Sequence, residues 1–284
     1  MLRSVISLAL AVGLAGNAME TFAGEALSSA GMTAKQIEDL GEIVAVDADL
    51  AGKLRANVNV RGEFTSNAEL TGHHDSNDFI FLPVMEIGYT QPLGPKFSLD
   101  VAAKVELGLY ANNDERAFVG YSLKTTLDYH PKPNLPRLYV GVEPYRYDNL
   151  DVEDMITQAV GFSVGTDWGY AFNQGRSLFF TGYAYTGFVA DPEIDTRNQH
   201  RAVIGLTHQF RADLIGTAFY AWQYSDFVNF DRHDSKHLIG LSLIYQLRQN
   251  WFANMGGAWV DNDSDVNMAT YQSVSGALGV NYQF

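Results

Sequence analysis

Two short clusters carry side chains with the makings of acyl-transfer chemistry. His73 and His74 stand beside Asp75 and Ser76, and His233 and His237 flank Asp234 and Ser235. An imidazole between a carboxylate and a hydroxyl is what activates a serine nucleophile. No nucleophile motif surrounds either serine, and His, Asp and Ser are common in loops. Paired histidines also suit a transition metal. The stretch DNDSD (261–265) has the oxygen spacing that opens a calcium loop. It lacks that loop's glycine, where Val266 stands, and its final glutamate, where Gln272 stands. With no cysteine in 284 residues, disulfides, thiolate metal sites and cysteine nucleophiles are excluded. The expectation is a protein without catalysis, metal or cofactor, with a hydrolase using the rim histidines kept as an alternative.

The charges form the more systematic pattern. Asp and Glu total 33 against 19 Lys and Arg, a net charge of −14, and no basic patch along the chain suits nucleic acid. In FSLDVAAKVELGLY (97–110) every odd position from Phe97 to Leu109 is apolar, whereas Asp100, Lys104 and Glu106 share the even face. A helix would scatter those charges around its circumference; a strand separates them cleanly. The same division places Arg55, Arg61 and Glu63 opposite Leu54, Val58, Val60 and Phe64. It recurs with Lys124 and Asp128 opposite Leu123 and Leu127, and with Asp167 opposite Trp168 and Tyr170.

Carried along the chain, period two gives twelve strands: about 53–65, 79–91, 97–110, 117–129, 137–148, 157–172, 177–189, 199–211, 213–226, 236–248, 250–261 and 271–284. Many exceed the length usual in soluble sheets and meet the roughly 9–11 residues that cross a bilayer at a tilt. Connections alternate between short turns (91–96, 130–136, 173–177, 211–213, 248–250) and longer polar loops (66–78, 111–116, 149–156, 190–198, 227–235, 262–270). Aromatics gather on the apolar faces near strand ends, as at Tyr89, Phe97, Tyr129, Trp168, Tyr170 and Tyr282. The predicted fold is all-β, an antiparallel up-and-down transmembrane barrel with its apolar face outward. Its inward set is Arg55, Arg61, Lys104, Lys124 and Arg201 with Glu63, Glu86, Asp100, Glu106, Asp128, Glu143 and Asp167. These either line an aqueous pore or brace the wall as ion pairs. The loops are acidic, with Asp148, Asp151, Glu153, Asp154, Asp191, Glu193, Asp195, Asp261, Asp263 and Asp265.

The final strand, YQSVSGALGVNYQF, alternates Val274, Leu278, Val280, Tyr282 and Phe284 with small and polar residues. With the barrel pattern over 53–284, this ending resembles the Gram-negative outer-membrane β-barrel proteins as a class. The resemblance implies that Tyr282 and Phe284 form the signal read by the barrel-assembly machinery, and that both termini are periplasmic. It also implies contact with outer-membrane lipid and lipopolysaccharide. No motif places the chain among nucleoside, oligogalacturonate or sialic-acid channels. The function expected is a narrow passive channel for small polar solutes or ions, the alternatives being a closed structural or adhesive barrel and the hydrolase.

Two segments precede the barrel. Residues 1–23 have one cation, Arg3, an apolar run from Val5 to Ala15 and small residues at Ala18 and Ala23, the pattern of a secretory signal peptide. Residues 24–52 contain Thr33 and Gln36 at capping-box spacing and an apolar stripe at Ile37, Leu40, Ile43 and Val44. A short helix or extended leader is expected there, in the periplasm or inside the barrel.

Overall fold

The computed structural model describes residues 53–67, 77–132, 135–150 and 155–283. The expected signal peptide, the 24–52 segment, the His73–His74 cluster, Asp151, Glu153, Asp154 and Phe284 lie outside the described residues. Twelve strands follow one another: β1 (Lys53–Thr65), β2 (Asp78–Pro92), β3 (Phe97–Tyr110), β4 (Phe118–Tyr129), β5 (Arg137–Asn149), β6 (Met155–Phe172), β7 (Ser177–Asp191), β8 (Arg197–Arg211), β9 (Leu214–Phe227), β10 (Arg232–Arg248), β11 (Trp251–Ser264) and β12 (Tyr271–Gln283). Each pairs antiparallel with the next, and β12 pairs with β1, so the sheet closes on itself. Closure leaves no edge whose N–H and C=O groups would be stranded in an apolar medium.

The seam is fastened beyond its ladder. Asn281 Nδ2 donates to Asn57 Oδ1 at 2.7 Å near the turn end, and the Thr65 and Ser273 hydroxyls meet at 3.1 Å near the loop end. Register accumulates steeply around the wall. Partners lead from Lys53 through Thr90, Asp100, Thr126 and Gly141 to Ser163, Thr186, Gln199 and Ser225, and finish at Asp234 and Ser264. The path starts at the turn end of β1 and finishes at the loop end of β11, so the strands are strongly tilted, as closure of a barrel demands.

Several strands run further than the alternation indicates, among them β8, β10 and β11. Strand β10 begins at Arg232 rather than near 236, β8 at Arg197 rather than 199, and β11 continues to Ser264. The ladder persists into polar sequence there, with Arg232 opposite Phe227 and Asp234 opposite Ser264, because backbone bonds do not require apolar side chains. Two strands carry an interior proline, and the ladder lapses beside each. Pairing of β2 with β3 skips Pro83, and pairing of β4 with β5 skips Glu143 and Pro144. Proline has no N–H to give to the ladder.

The two faces differ as period two requires. Outward positions such as Leu54, Phe64, Phe162, Leu241 and Leu278 are exposed apolar side chains, whereas the inward positions between them are more buried. An apolar exterior over a polar interior inverts a soluble protein and suits a bilayer. Aromatic belts edge the exterior. At the turn end, Phe97 packs on Tyr129 and Trp251 on Tyr282, both at 4.9 Å between ring centroids, and Trp168 stacks on Tyr170. Toward the loop end, the Tyr183 and Tyr220 hydroxyls bond His200 and His237, both at 2.7 Å. Rings with one polar edge belong where apolar and wet surroundings meet.

Candidate functional site

The barrel interior collects the charged residues that period two assigned to it, all twelve on the more buried face. Arg55, Glu86 and Asp100 form one group near the turn end. The Arg55 guanidinium donates to both Asp100 oxygens at 2.8 and 3.1 Å, and its Nε lies 3.4 Å from Glu86. Thr90 donates its hydroxyl to the same Asp100 carboxylate at 2.9 Å. Arg55 and Asp100 sit two strands apart; on the intervening strand Gly88 is opposite Arg55 and Thr90 is opposite Asp100. The guanidinium occupies the space a Cβ at Gly88 would need, so the missing side chain is what lets the pair form.

A second group spans β4, β5 and β6. Arg137 donates to Asp167 from Nη2 at 2.7 Å and from Nε at 3.2 Å, and its Nη1 lies 3.5 Å from Asp128. All three side chains are 2% exposed or less. Arg137 also rests over the Tyr139 ring at 5.4 Å. Asp128 and Asp167 were expected inward, but Arg137, which holds them, was missed. The signal was present: Arg137 has the parity of Glu143, which was placed inward on the same strand. By the same reasoning Arg201 should have brought Arg197 with it.

The remaining predicted residues lie elsewhere on the same inward face. Lys104 lies 3.3 Å from Glu106, whose Oε1 also accepts the Tyr147 hydroxyl at 2.6 Å. Arg61 and Glu63 are deeply buried neighbours at 3.9 Å. Lys124 and Glu143, 4.0 Å apart, border a cavity of about 20 Å³ with Tyr139, Ser163, Thr186 and Phe188. Arg201 lies half-buried on the inward face of β8.

Inward rings lie along the wall rather than across the bore. Tyr139 covers Gly165, Tyr147 covers Gly120, Phe180 covers Gly205 and Phe219 covers Gly240, each ring filling the place of a Cβ on the neighbouring strand. Glycine in a strand interior weakens it, and an aromatic neighbour laid over it restores the packing.

One binding residue had no signal in the pattern. Asp78, the first residue of β2, gathers the loop before β4. Its Oδ1 accepts the N–H groups of Phe79, Ala111 and Asn112 at 2.7, 3.1 and 3.0 Å, and its Oδ2 accepts the backbone and side-chain N–H groups of Asn113 at 3.0 and 2.6 Å. Asp78→Ala removes a charge-assisted acceptor from four backbone amides. Amide hydrogen exchange of residues 111–113 should then accelerate at least tenfold, while exchange in β7 to β9 stays at the wild-type rate.

The second histidine cluster does not converge. His233, Ser235 and His237 point outward from β10, and Asp234 points inward, where Arg232 pairs with it. His233 instead lies 3.1 Å from Asp226, and the Ser235 hydroxyl accepts the Trp222 indole N–H at 3.2 Å. The strand that these residues were read as preceding has absorbed them, and alternation separates carboxylate from hydroxyl. The same alternation splits DNDSD: Asp261 and Asp263 face out, whereas Asn262 is buried inward and donates to the Ala269 carbonyl. Among the described residues no three metal-ligating side chains come together.

The closed twelve-stranded wall has counterparts among solved structures. An outer-membrane channel from Pseudomonas putida F1 matches with a TM-score of 0.56 at 9% identity, over 84% of this chain and 97% of the other. The translocator domain of the autotransporter NalP from Neisseria meningitidis matches with a TM-score of 0.50 at 12% identity, over 88% and 95%. This is the outer-membrane β-barrel fold. Within it, residues 191–284 match the family model described as "Putative beta-barrel porin 2", which covers the end of β7 through to the final residue. No curated protein sequence matches the chain.

Proposed function

We propose that the barrel is a porin-type passive channel of the outer membrane for small polar solutes or ions. The observation that carries this reading is the inward face of β1 to β6, where charged side chains are held against the wall by cross-strand pairing. Arg55 lies along the sheet to reach Asp100, and Arg137 lies between Asp128 and Asp167. Charges fixed in opposite-sign pairs keep a path wet while giving little net preference for cations or anions. The rings laid on Gly120 and Gly165 serve the same end, because they keep bulk out of the bore. The family match over residues 191–284 to a porin family supports the reading. In this reading the short turns and both termini are periplasmic, the loops face outward, and the aromatic belts sit at the two lipid interfaces. The acidic loop ends at Asp191, Glu193 and Asp195 then meet the lipopolysaccharide layer through bridging divalent cations.

Purified protein in a planar bilayer should give stepwise currents with a reversal potential near zero in a potassium chloride gradient. Gly165→Val should lower the unit conductance, because it drives the Tyr139 ring off the wall. A folded barrel that passes no stepwise current would remove the channel reading.

A further inference from the structure

Among the described residues, Arg146 is the only lysine or arginine on the outward face of a strand. Its side chain is 53% exposed, and its Nε donates to both oxygens of Asp148 at 2.8 and 3.0 Å. A carboxylate docked in a guanidinium fork commonly takes two donors at once. Here Asp148 takes the Nε alone, which leaves the Nη groups for a further acceptor. Arg146 belongs to a row that crosses four strands. It is opposite Tyr121 on β4 and Gln158 on β6, and Gln158 is opposite Asp191 on β7. One step toward the turn end the outward row is apolar. Pro144 is opposite Val160, and Val160 is opposite Val189. Both rows, with Leu123, line one depression of about 680 Å³ on the outside of the wall. Val189 is 66% exposed, and Tyr121 and Leu123 are each 47% exposed, so the depression is open to its surroundings.

We propose that this depression binds a phosphorylated glycolipid of the outer leaflet, lipopolysaccharide, with its acyl chains on the apolar row and a headgroup phosphate on the Nη groups of Arg146. This assignment rests on the outward-facing loops of the channel reading, which put the depression in the outer leaflet. The wall around it faces lipid, so acyl chains are what meet Leu123, Pro144, Val160 and Val189. The polar row lies on the loop side of the apolar one, the order in which a lipid presents head and chains. Charge selects the head. A cation on a lipid-facing wall is costly unless an anion answers it, and phosphate matches the guanidinium donors through paired charge-assisted bonds. Tyr121, opposite Arg146, adds a phenolic hydroxyl for phosphate or sugar. Two features favour the glycolipid over a phospholipid. Four strands span about 14 Å, which is broad enough for several acyl chains side by side. Asp191 stands two strands from Arg146, about 10 Å across the sheet. It is one of the acids that reach the lipopolysaccharide layer through bridging cations. The row then meets the head at two points, as suits a head with two phosphates.

The test uses the complete protein folded in an uncharged detergent with magnesium present, and bis-phosphorylated lipid A as the probe. Native mass spectrometry counts the bound lipid and gives its dissociation constant. Arg146→Gln should weaken binding about tenfold or more, the worth of one charge-assisted contact. Val189→Trp, which fills the apolar row, should weaken it as well. Folding of both variants is checked by heat-modifiable gel mobility. Dephosphorylated lipid A should bind the wild-type protein with the same loss, a comparison that needs no variant to fold. Equal affinity of wild type and Arg146→Gln for the phosphorylated lipid, or of wild type for the two lipids, overturns the site. Phosphatidylglycerol bound as tightly as lipid A overturns the choice of glycolipid. Orientation is read separately. In intact cells a membrane-impermeant maleimide should label Val228→Cys, an exposed loop position in a chain without native cysteine. Labelling without lipid A binding keeps the outward loops and removes the site. No labelling removes the outward loops and the lipopolysaccharide assignment with them. The channel itself stands on currents in bilayers free of lipopolysaccharide, which neither result touches.

Discussion

Arg137→Ala should cost the folded barrel about 3–5 kcal/mol, the loss expected when one member of a buried ion network is deleted. The Arg137 side chain is 2% exposed and lies between Asp128 and Asp167, at 3.5 and 2.7 Å. Truncation leaves two carboxylates close together in a site that water reaches poorly. Their mutual repulsion and desolvation are then uncompensated. Adding Asp128→Asn and Asp167→Asn removes both charges and should recover most of the loss, since an uncharged set of similar shape carries no such penalty. Urea unfolding of barrels refolded into lipid vesicles, followed by tryptophan fluorescence, measures both variants. If the single variant falls within about 1 kcal/mol of wild type, the network contributes little to holding β4, β5 and β6 together. The triple variant also decides whether these charges are needed for permeation. It removes one cation and two anions from the wall together.

Val105→Arg should cost about 2–4 kcal/mol, the penalty for a cation near the middle of the lipid-facing wall of a barrel. The effect is local to one position in an already charged stretch. Lys104 and Glu106, its two neighbours, are native charges facing inward, whereas Val105 is 42% exposed on the outside. A soluble barrel would reverse the result, because an outward arginine there would meet water. The measurement is again unfolding from vesicles, supported by the yield of heat-modifiable folded protein. An unaltered midpoint for Val105→Arg would mean that lipid does not surround this face.

The strand count and the facing of each side chain were legible because a strand has only two faces. Once Asp100, Lys104 and Glu106 shared a parity, no other assignment kept Val101, Val105 and Leu109 together. Element ends were less legible. The ladder of β10 continues through RHDS, whose polar side chains give no contrast between the faces, so the pattern stops before the strand does. That difference undid the histidine cluster, because residues read as a convergent loop became alternating positions on a strand. Arg137 was overlooked at the first residue of its strand, where a charge reads as loop, although its parity with Glu143 placed it inside.

The sequence by itself determined that the chain is a long-stranded, even-numbered sheet with one apolar face, since period two is a property of consecutive residues. It also placed twelve charges on the other face, without Arg137 or Arg197. Only the tertiary structure decided which charges meet. Arg55 reaches Asp100, 45 residues away, because the register sets Gly88 opposite Arg55 and glycine leaves room for the guanidinium. Register is fixed by twelve pairings acting together around a closed wall, and no single strand contains that information. Each strand contributes a few inward side chains, and only the pairing of β7 with β8 and of β8 with β9 sets Phe180 and Phe219 on either side of Gly205.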